Sequence, residues 1–351
     1  MNIISALLPT GDLGFGLYFA PEMVLARYSN GSWSKPEIQK TANLNLHPAA
    51  KALHYAQEIF EGLKAFHVNS RICLFRPKEN IRRMSRSAEI MAMPPFPEEA
   101  FLESTKELVR RCAHLVPQEP GALYLRPTMI ATSAQLGVAP SQDYLFYILA
   151  SPVGGYFGAV KSDKPAGISV WVSDQHVRAA PGGVGAAKTG ANYAASLRAV
   201  SDCKKKGFAN VLFLDAIERR YIEELSGMNV FVVDRGVLKT PPLKDTILDG
   251  VTRKSLIQIA KTLEIPFSEE PIAVDQILQG IQNKTLSEIF ACGTGASVTA
   301  ITELGWKNDR IRVTSNAEAG PITTKLYQAL INIQTGKRPA PASDWIIDCA
   351  Q

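Results

Sequence analysis

Residues 178–193 read R-A-A-P-G-G-V-G-A-A-K-T-G-A-N-Y. Glycine and alanine fill most of this stretch around a single lysine, Lys188. Small residues let a backbone approach a ligand closely and adopt positive φ. A lysine in such a loop has two chemical uses: as an ammonium it binds phosphate, and as a neutral amine it attacks a carbonyl. A flexible glycine loop with a solvated lysine is the third reading. Residues 182–189 also stand one substitution away from the nucleotide-binding pattern G-x-x-x-x-G-K-[ST]. That motif should follow a buried strand directly. Here the nearest strand-like run, residues 168–172, ends well before Gly182, and Ala187 replaces the final glycine.

The chain around this loop has 351 residues, which favours two domains of about 150 residues each. Its 46% hydrophobic and 20% charged residues are an ordinary globular balance, with apolar material for two cores. A formal charge of +5, with no basic block and no interleaved aromatics, gives no case for nucleic acid. The five cysteines (Cys73, Cys112, Cys203, Cys292 and Cys349) are scattered and form no C-x-x-C pair, which fits reduced thiols in the cytoplasm. The five histidines show no metal spacing. No basic residue precedes Arg27, so the N-terminus does not read as a secretory signal. The most apolar run, residues 144–160, is interrupted by Pro152, Gly154, Gly155 and Gly158 and reads as a core strand and a linker, not a membrane span. These breakers divide the chain into a first domain over 1–150, a linker over 151–164 and a second domain over 165–351.

Hairpins are expected over residues 24–38, about Asn30-Gly31, and over residues 63–75. A helix should follow Pro77, with Ile81, Met84, Ala88 and Met91 as its buried stripe. Arg82, Arg83 and Arg86 lie off that stripe, where a bland reading makes them surface charges. After a second helix over 97–114, a strand opening at Gly121 puts Tyr124 and Arg126 on one face. That pair suits a carboxylate, or faces water on an edge strand. Residues 211–214 form an apolar strand, and 192–206 a helix. In I-E-E-L-S-G-M-N at 222–229, strand alternation sends Glu223 and Glu224 to opposite sides, so one must face inward and seek a cation. D-G-V-T at 249–252 opens a helix, where Thr252 is either an N-cap or part of an anion site. E-I-F-A-C-G-T-G-A at 288–296 is a strand running into a second small-residue loop, with Thr294 as its hydroxyl.

A reactive lysine, an inward glutamate and two anion cradles with threonines suit one ligand, pyridoxal 5'-phosphate. Its aldehyde needs an amine, its phosphate needs N–H groups and a cation, and its ring nitrogen needs an acid. The alternative nucleotide-binding reading would use Asp215 for magnesium and leave Glu224 and Thr294 without a role.

Seven segments carry a resemblance that spans nearly the whole chain: H-Y-A-Q-E-I-F-E-G-L-K-A-F, R-R-M-S-R-S-A, L-Y-L-R-P, the loop from Val177 to Leu197, Y-I-E-E-L-S-G-M-N, L-D-G-V-T-R and C-G-T-G-A. In this order they resemble the branched-chain amino acid aminotransferases, fold-type-IV pyridoxal phosphate enzymes of the class IV aminotransferase family. The resemblance implies an α/β fold of two domains, a small α/β domain and a larger pseudo-barrel domain. It implies transfer of an amino group between L-leucine, L-isoleucine or L-valine and 2-oxoglutarate, by a homodimer. Lys188 would carry the cofactor and move the substrate's α-proton. Glu224 would pair with the ring nitrogen and Tyr193 with the ring's phenolic oxygen. Arg83 would be the phosphate cation, with Val251, Thr252 and Thr294 as further phosphate ligands, and Leu248 would pack on the ring. Tyr55, Phe60 and Tyr124 would line the substrate pocket, and Gly295 and Ala296 would hold the substrate carboxylate, with Arg126 near it. Gly227 stands where many relatives have threonine, and no C-x-x-C redox pair follows Thr294. The nearest rivals within the fold are a D-amino-acid aminotransferase and an aminodeoxychorismate lyase.

Overall fold

A computed structural model describes residues 2–4, 8, 12–154, 164–314 and 316–350. The chain divides into two compact units. The first comprises residues 1–159, 187–190 and 333–351, and the second 160–186 and 191–332. The C-terminal residues belong to the first unit because Ile346–Asp348 pairs with Arg71–Phe75. Of the expected linker 151–164, residues 151–153 end the strand Tyr144–Val153, and 155–163 lie outside the described residues. No helix among the described residues is long and apolar enough to cross a membrane.

The first unit is built on one sheet of nine strands. Its spine runs Ile346–Asp348, Arg71–Phe75, Leu63–Val68, Ala122–Ala131, Tyr144–Val153, Glu22–Ser29 and Ser32–Trp33. Both expected hairpins are present, with Asn30 and Gly31 at φ 51° and 80° and Asn69 and Ser70 at φ 47° and 66°. Two residues with positive φ match the twist of a hairpin's strands. Residues Ile59, Leu123, Leu125, Met129 and Phe146 turn to one side of the sheet and share a core with Ile81, Met84, Phe101 and Leu108 of the helices Pro77–Ile90 and Glu98–Arg111. The alternate residues, Glu58, Phe60, Tyr124 and Arg126, point the other way. Ala122–Ala131 is a central strand, so the edge-strand reading of Tyr124 and Arg126 does not apply.

One irregularity in this sheet positions a charge. Glu58–Phe60 and Leu63–Val68 both run antiparallel to Ala122–Ala131, and the break between them falls at Glu61 and Gly62, opposite Pro127. Proline has no N–H to give to a ladder. Its carbonyl still accepts from Glu61 N–H at 2.7 Å.

The second unit is organised around a ring of strands. Ile222–Leu225, Asn210–Leu214, Gly167–Ser173, Ser297–Trp306, Leu286–Gly293 and Asn229–Asp234 pair in that order, and Glu224 pairing with Asn229 closes the circle. This six-stranded barrel answers the expected pseudo-barrel. Val237–Thr240, Phe267–Glu269 and Asp309–Arg312 extend it. The helix Gly190–Lys205 packs Ala199 and Cys203 onto Trp171, Val211 and Phe213. The helix Pro321–Gln334 starts against Glu288, whose buried carboxylate accepts from Ile322 N–H at 3.0 Å and from Thr323 N–H and Oγ1 at 2.7 Å each. Such an acceptor serves orphan N–H groups of the first turn from outside the helix.

Candidate active site

In the first unit residues 187–190 dock on the strand Glu58–Phe60. Phe60 N–H donates to the Lys188 carbonyl at 2.9 Å, and Lys188 N–H donates to Ser87 Oγ at 2.9 Å. Two residues on, Gly190 N–H donates to Glu58 Oε1. Lys188 Nζ then stands 4.7 Å from the centre of the Phe60 ring, and the Arg126 guanidinium also lies 4.7 Å from it. Arg126 donates to the Tyr124 hydroxyl through Nη2 at 2.8 Å, so the strand period did bring these two together. A Cβ on Gly62 would collide with that hydroxyl, which is why a glycine sits at the break. Tyr55 is exposed at the end of the short helix Lys51–Tyr55, with its hydroxyl on the Leu136 carbonyl.

Arg83 is not a surface charge: it is 8% exposed and held by Glu61, which is 0% exposed. Nε meets Oε1 at 2.7 Å and Nη2 meets Oε2 at 2.8 Å, a fork-to-fork pair. Asn80 Nδ2 adds a bond to Oε2 at 2.8 Å. Burial alone would push the Glu61 carboxyl up, but the charge and hydrogen bonds of Arg83, then the charge of Lys188, hold it below its ordinary value. Burial pushes the neighbouring Glu58 carboxyl the other way, upward, against the Gly190 N–H and the charge of Arg126.

In the second unit strand alternation would leave one of Glu223 and Glu224 facing inward, yet both are buried. Glu224 forms an ion pair with Arg178 and accepts from Leu248 N–H at 2.9 Å and Asn229 Nδ2 at 3.4 Å. Glu223 accepts from Thr246 Oγ1 at 2.6 Å, and burial raises its pKa. Arg178 also donates to the carbonyls of Gly185 and Thr246, at 2.8 and 2.9 Å. It therefore ties the glycine loop and the 246–248 segment to the acid.

The helix Val251–Thr262 begins beside this group. Its N-cap is Gly250 and makes no side-chain capping bond, so Thr252 lies inside the first turn and is not the cap. A Cβ on Gly250 would collide with the Asn229 side chain, whose amide donates to the Leu248 carbonyl at 3.0 Å. A Cβ on Gly227 would come within 3.3 Å of the Tyr193 ring. Gly227 thus leaves room for Tyr193, and an added side chain there would press on it. Gly293, which precedes Thr294, packs by Met228 and the Gly227 carbonyl, so Tyr193, Gly227 and the 293–296 turn are neighbours.

The donor set fits pyridoxal phosphate. A helix start with no side-chain cap offers N–H groups to an anion. An oriented buried carboxylate suits a ring nitrogen, and a lysine with a fixed main chain suits an aldehyde. Glu58, Glu61, Ser87 and Arg178 were missed among the functional candidates. Glu61 and Ser87 sit inside the segments that carry the resemblance, and Arg178 opens the decisive loop, but no local pattern gives them partners so far along the chain. Among the described residues no group of three or more His, Cys, Asp or Glu is arranged to hold a metal ion. Asp215 caps its own turn, accepting from the N–H groups of Ile217, Glu218, Arg220 and Tyr221.

Residues 58–304 match the model of the amino-transferase class IV family. The chain belongs to that family. It is 42% identical over 340 residues to branched-chain-amino-acid transaminase 1 of Bacillus subtilis, covering 96% of this chain and 94% of that one. It is similar in structure to the Escherichia coli branched-chain amino acid aminotransferase, with a TM-score of 0.77 and 28% identity over 92% of this chain and 99% of that one. It is also similar to the T.th. branched-chain amino acid aminotransferase solved with pyridoxamine 5'-phosphate, with a TM-score of 0.76 and 28% identity over 92% of this chain and 98% of that one.

Proposed function

We propose that the chain is a pyridoxal phosphate-dependent branched-chain-amino-acid transaminase, exchanging an amino group between L-leucine, L-isoleucine or L-valine and 2-oxoglutarate. The observation that carries the reading is Lys188, with its main chain fixed on Glu58–Phe60 and its amine over the Phe60 ring. The 42% identity to a transaminase of this specificity supports the substrate class.

The bound cofactor supplies an aldehyde and an electron-accepting ring. Lys188 Nζ would hold it until the substrate's amine takes its place at the aldehyde, and the amine so freed would accept the proton from the substrate's α-carbon and, in the reverse direction, return one there. Glu224 would hold the proton on the ring nitrogen, and its bonds from Leu248 and Asn229 keep the carboxylate in place. The N–H groups of Val251 and Thr252, the hydroxyl of Thr294 and the guanidinium of Arg83 bind the phosphate. Tyr193 would meet the phenolic oxygen and Leu248 would pack on the ring. Phe60, Tyr124 and Tyr55 receive the apolar side chain, while Gly295, Ala296 and Arg126 receive carboxylate.

The enzyme works as a homodimer in the cytoplasm. The exposed apolar residues Leu53, Leu136 and Val138, the last 86% exposed, support a second copy as cover. Lys51 fixes the loop that carries Leu136 and Val138, donating to the carbonyls of Gly137 and Ala139 at 2.7 Å each. Sedimentation at a monomer's mass would refute this part.

The test is the visible absorption of the purified protein. A yellow band that shifts with L-leucine but not D-alanine, and that is lost in Lys188→Ala, supports the assignment. A response to D-amino acids alone moves the function to the rival aminotransferase. A protein that stays colourless after incubation with pyridoxal phosphate overturns it.

A further inference from the structure

Residues 187–190 belong to the first unit although the residues on either side of them do not. Such a short visit by the chain has few ladder partners to satisfy its N–H groups, and buried N–H groups need acceptors. The Lys188 carbonyl has a main-chain partner in Phe60. The N–H groups of Lys188 and Gly190 have side-chain acceptors instead, Ser87 Oγ at 2.9 Å and Glu58 Oε1. Ser87 is 1% exposed on the helix Pro77–Ile90, which also carries Asn80 and Arg83. A Cβ on Gly190 would collide with the Glu58 carboxylate, so the glycine permits the approach.

We propose that Glu58 and Ser87 are positioning residues for Lys188, two side-chain acceptors that fix the main chain of residues 188–190 and so confine the amine's travel to its own side-chain torsions. The inference rests on the reading of Lys188 as the cofactor-bearing amine. Two functions are separable at Glu58. It accepts from Gly190, which a neutral amide oxygen also does, and it sets a negative charge near Arg126, which an amide does not.

The test uses the full-length protein loaded with pyridoxal phosphate, as wild type, Glu58→Ala, Glu58→Gln, Ser87→Ala and Lys188→Ala. Amide hydrogen exchange is read by mass spectrometry on the peptide 186–192, beside the pH titration of the visible band and kcat and KM for L-leucine. Loss of one hydrogen bond is expected to speed exchange about tenfold in Glu58→Ala and in Ser87→Ala. In both, kcat falls about tenfold with KM unchanged, and the titration of the band shifts. Glu58→Gln restores exchange and kcat to within about twofold of wild type. Wild-type exchange in both alanine variants overturns the proposal, as does a Glu58→Gln protein as impaired as Glu58→Ala. The exchange readout does not depend on cofactor chemistry. A Lys188→Ala protein that keeps the band refutes the role of Lys188 and leaves the exchange result standing.

Discussion

Glu61→Gln keeps the shape of a side chain that meets four donors and removes its charge. Arg83, 8% exposed, then remains as a buried guanidinium with its carboxylate gone. Charges about 4 Å apart attract by about 4 kcal/mol at an effective dielectric of about 20. Removing one partner of a buried pair costs about 3–5 kcal/mol, because the other charge stays desolvated. At about 2–4 °C per kcal/mol for a unit of 150–250 residues, the melting temperature should fall by about 6–20 °C. The assay is thermal unfolding by circular dichroism on cofactor-free protein, which separates this effect from ligand binding. The double variant Glu61→Leu with Arg83→Met should recover most of the loss, since an apolar pair of similar volume replaces the ions. The pH dependence has a definite sign. The folded-state pKa of Glu61 is depressed, so its contribution is fully present above the unfolded value and is lost as pH falls through the folded one. The gap between wild type and Glu61→Gln should therefore close in acid and stay constant from about pH 6 upward. A Glu61→Gln protein melting within about 1 °C of wild type would refute the reasoning, as would a double variant no better than the single one.

Glu288→Ala leaves the first turn of Pro321–Gln334 without its acceptor, at a cost of about 1–3 kcal/mol, read as a lower melting temperature. Gly250→Ala drives a Cβ into Asn229, which is bonded to Leu248 and Glu224, and affinity for pyridoxal phosphate, titrated by absorbance, should drop about tenfold for an overpacking cost above about 1 kcal/mol. All five cysteines are buried, and burial pushes the Cys292 thiol up to about 12, so a thiol reagent should label none in the native protein and all five after denaturation.

Much of the fold was legible because its signals are local. The apolar run 211–214 became Asn210–Leu214, and the stripe Ile81, Met84 and Ala88 became the buried face of Pro77–Ile90. Both hairpins turn where their Asn-Gly and Asn-Ser pairs stand. The misreadings arose where distance in sequence hid nearness in space. Helical spacing sorted Arg83 with the solvated Arg82, but Glu61, on a break opposite Pro127, draws it inside. Alternation required only one of Glu223 and Glu224 to face inward, whereas both are buried, because residues 246 and 248 supply a hydrogen bond to each. Thr252 has a capping residue's side chain, yet Gly250 takes the cap, because Asn229 leaves no room there for a Cβ. The role of each site residue came from resemblance, which residue periodicity alone does not contain.

The ring of six strands is closed across the short turn 226–228, and Glu224 is one of the two residues that meet across the join. The main chain of an acid at that point is held by the closure of the circle, and its carboxylate by Leu248, Asn229 and Arg178. Lys188 is built on the opposite plan, with an anchored root and a long flexible stem. Transamination asks for one stationary group and one that travels, the first to keep a charge in place and the second to carry a proton. On the proposed reading the first duty falls to Glu224, beside the closing pair of the ring, and the second to the Lys188 amine at the end of its long side chain. Variation that loosens the 226–228 turn should therefore slow the chemistry even when every side chain of the site is retained.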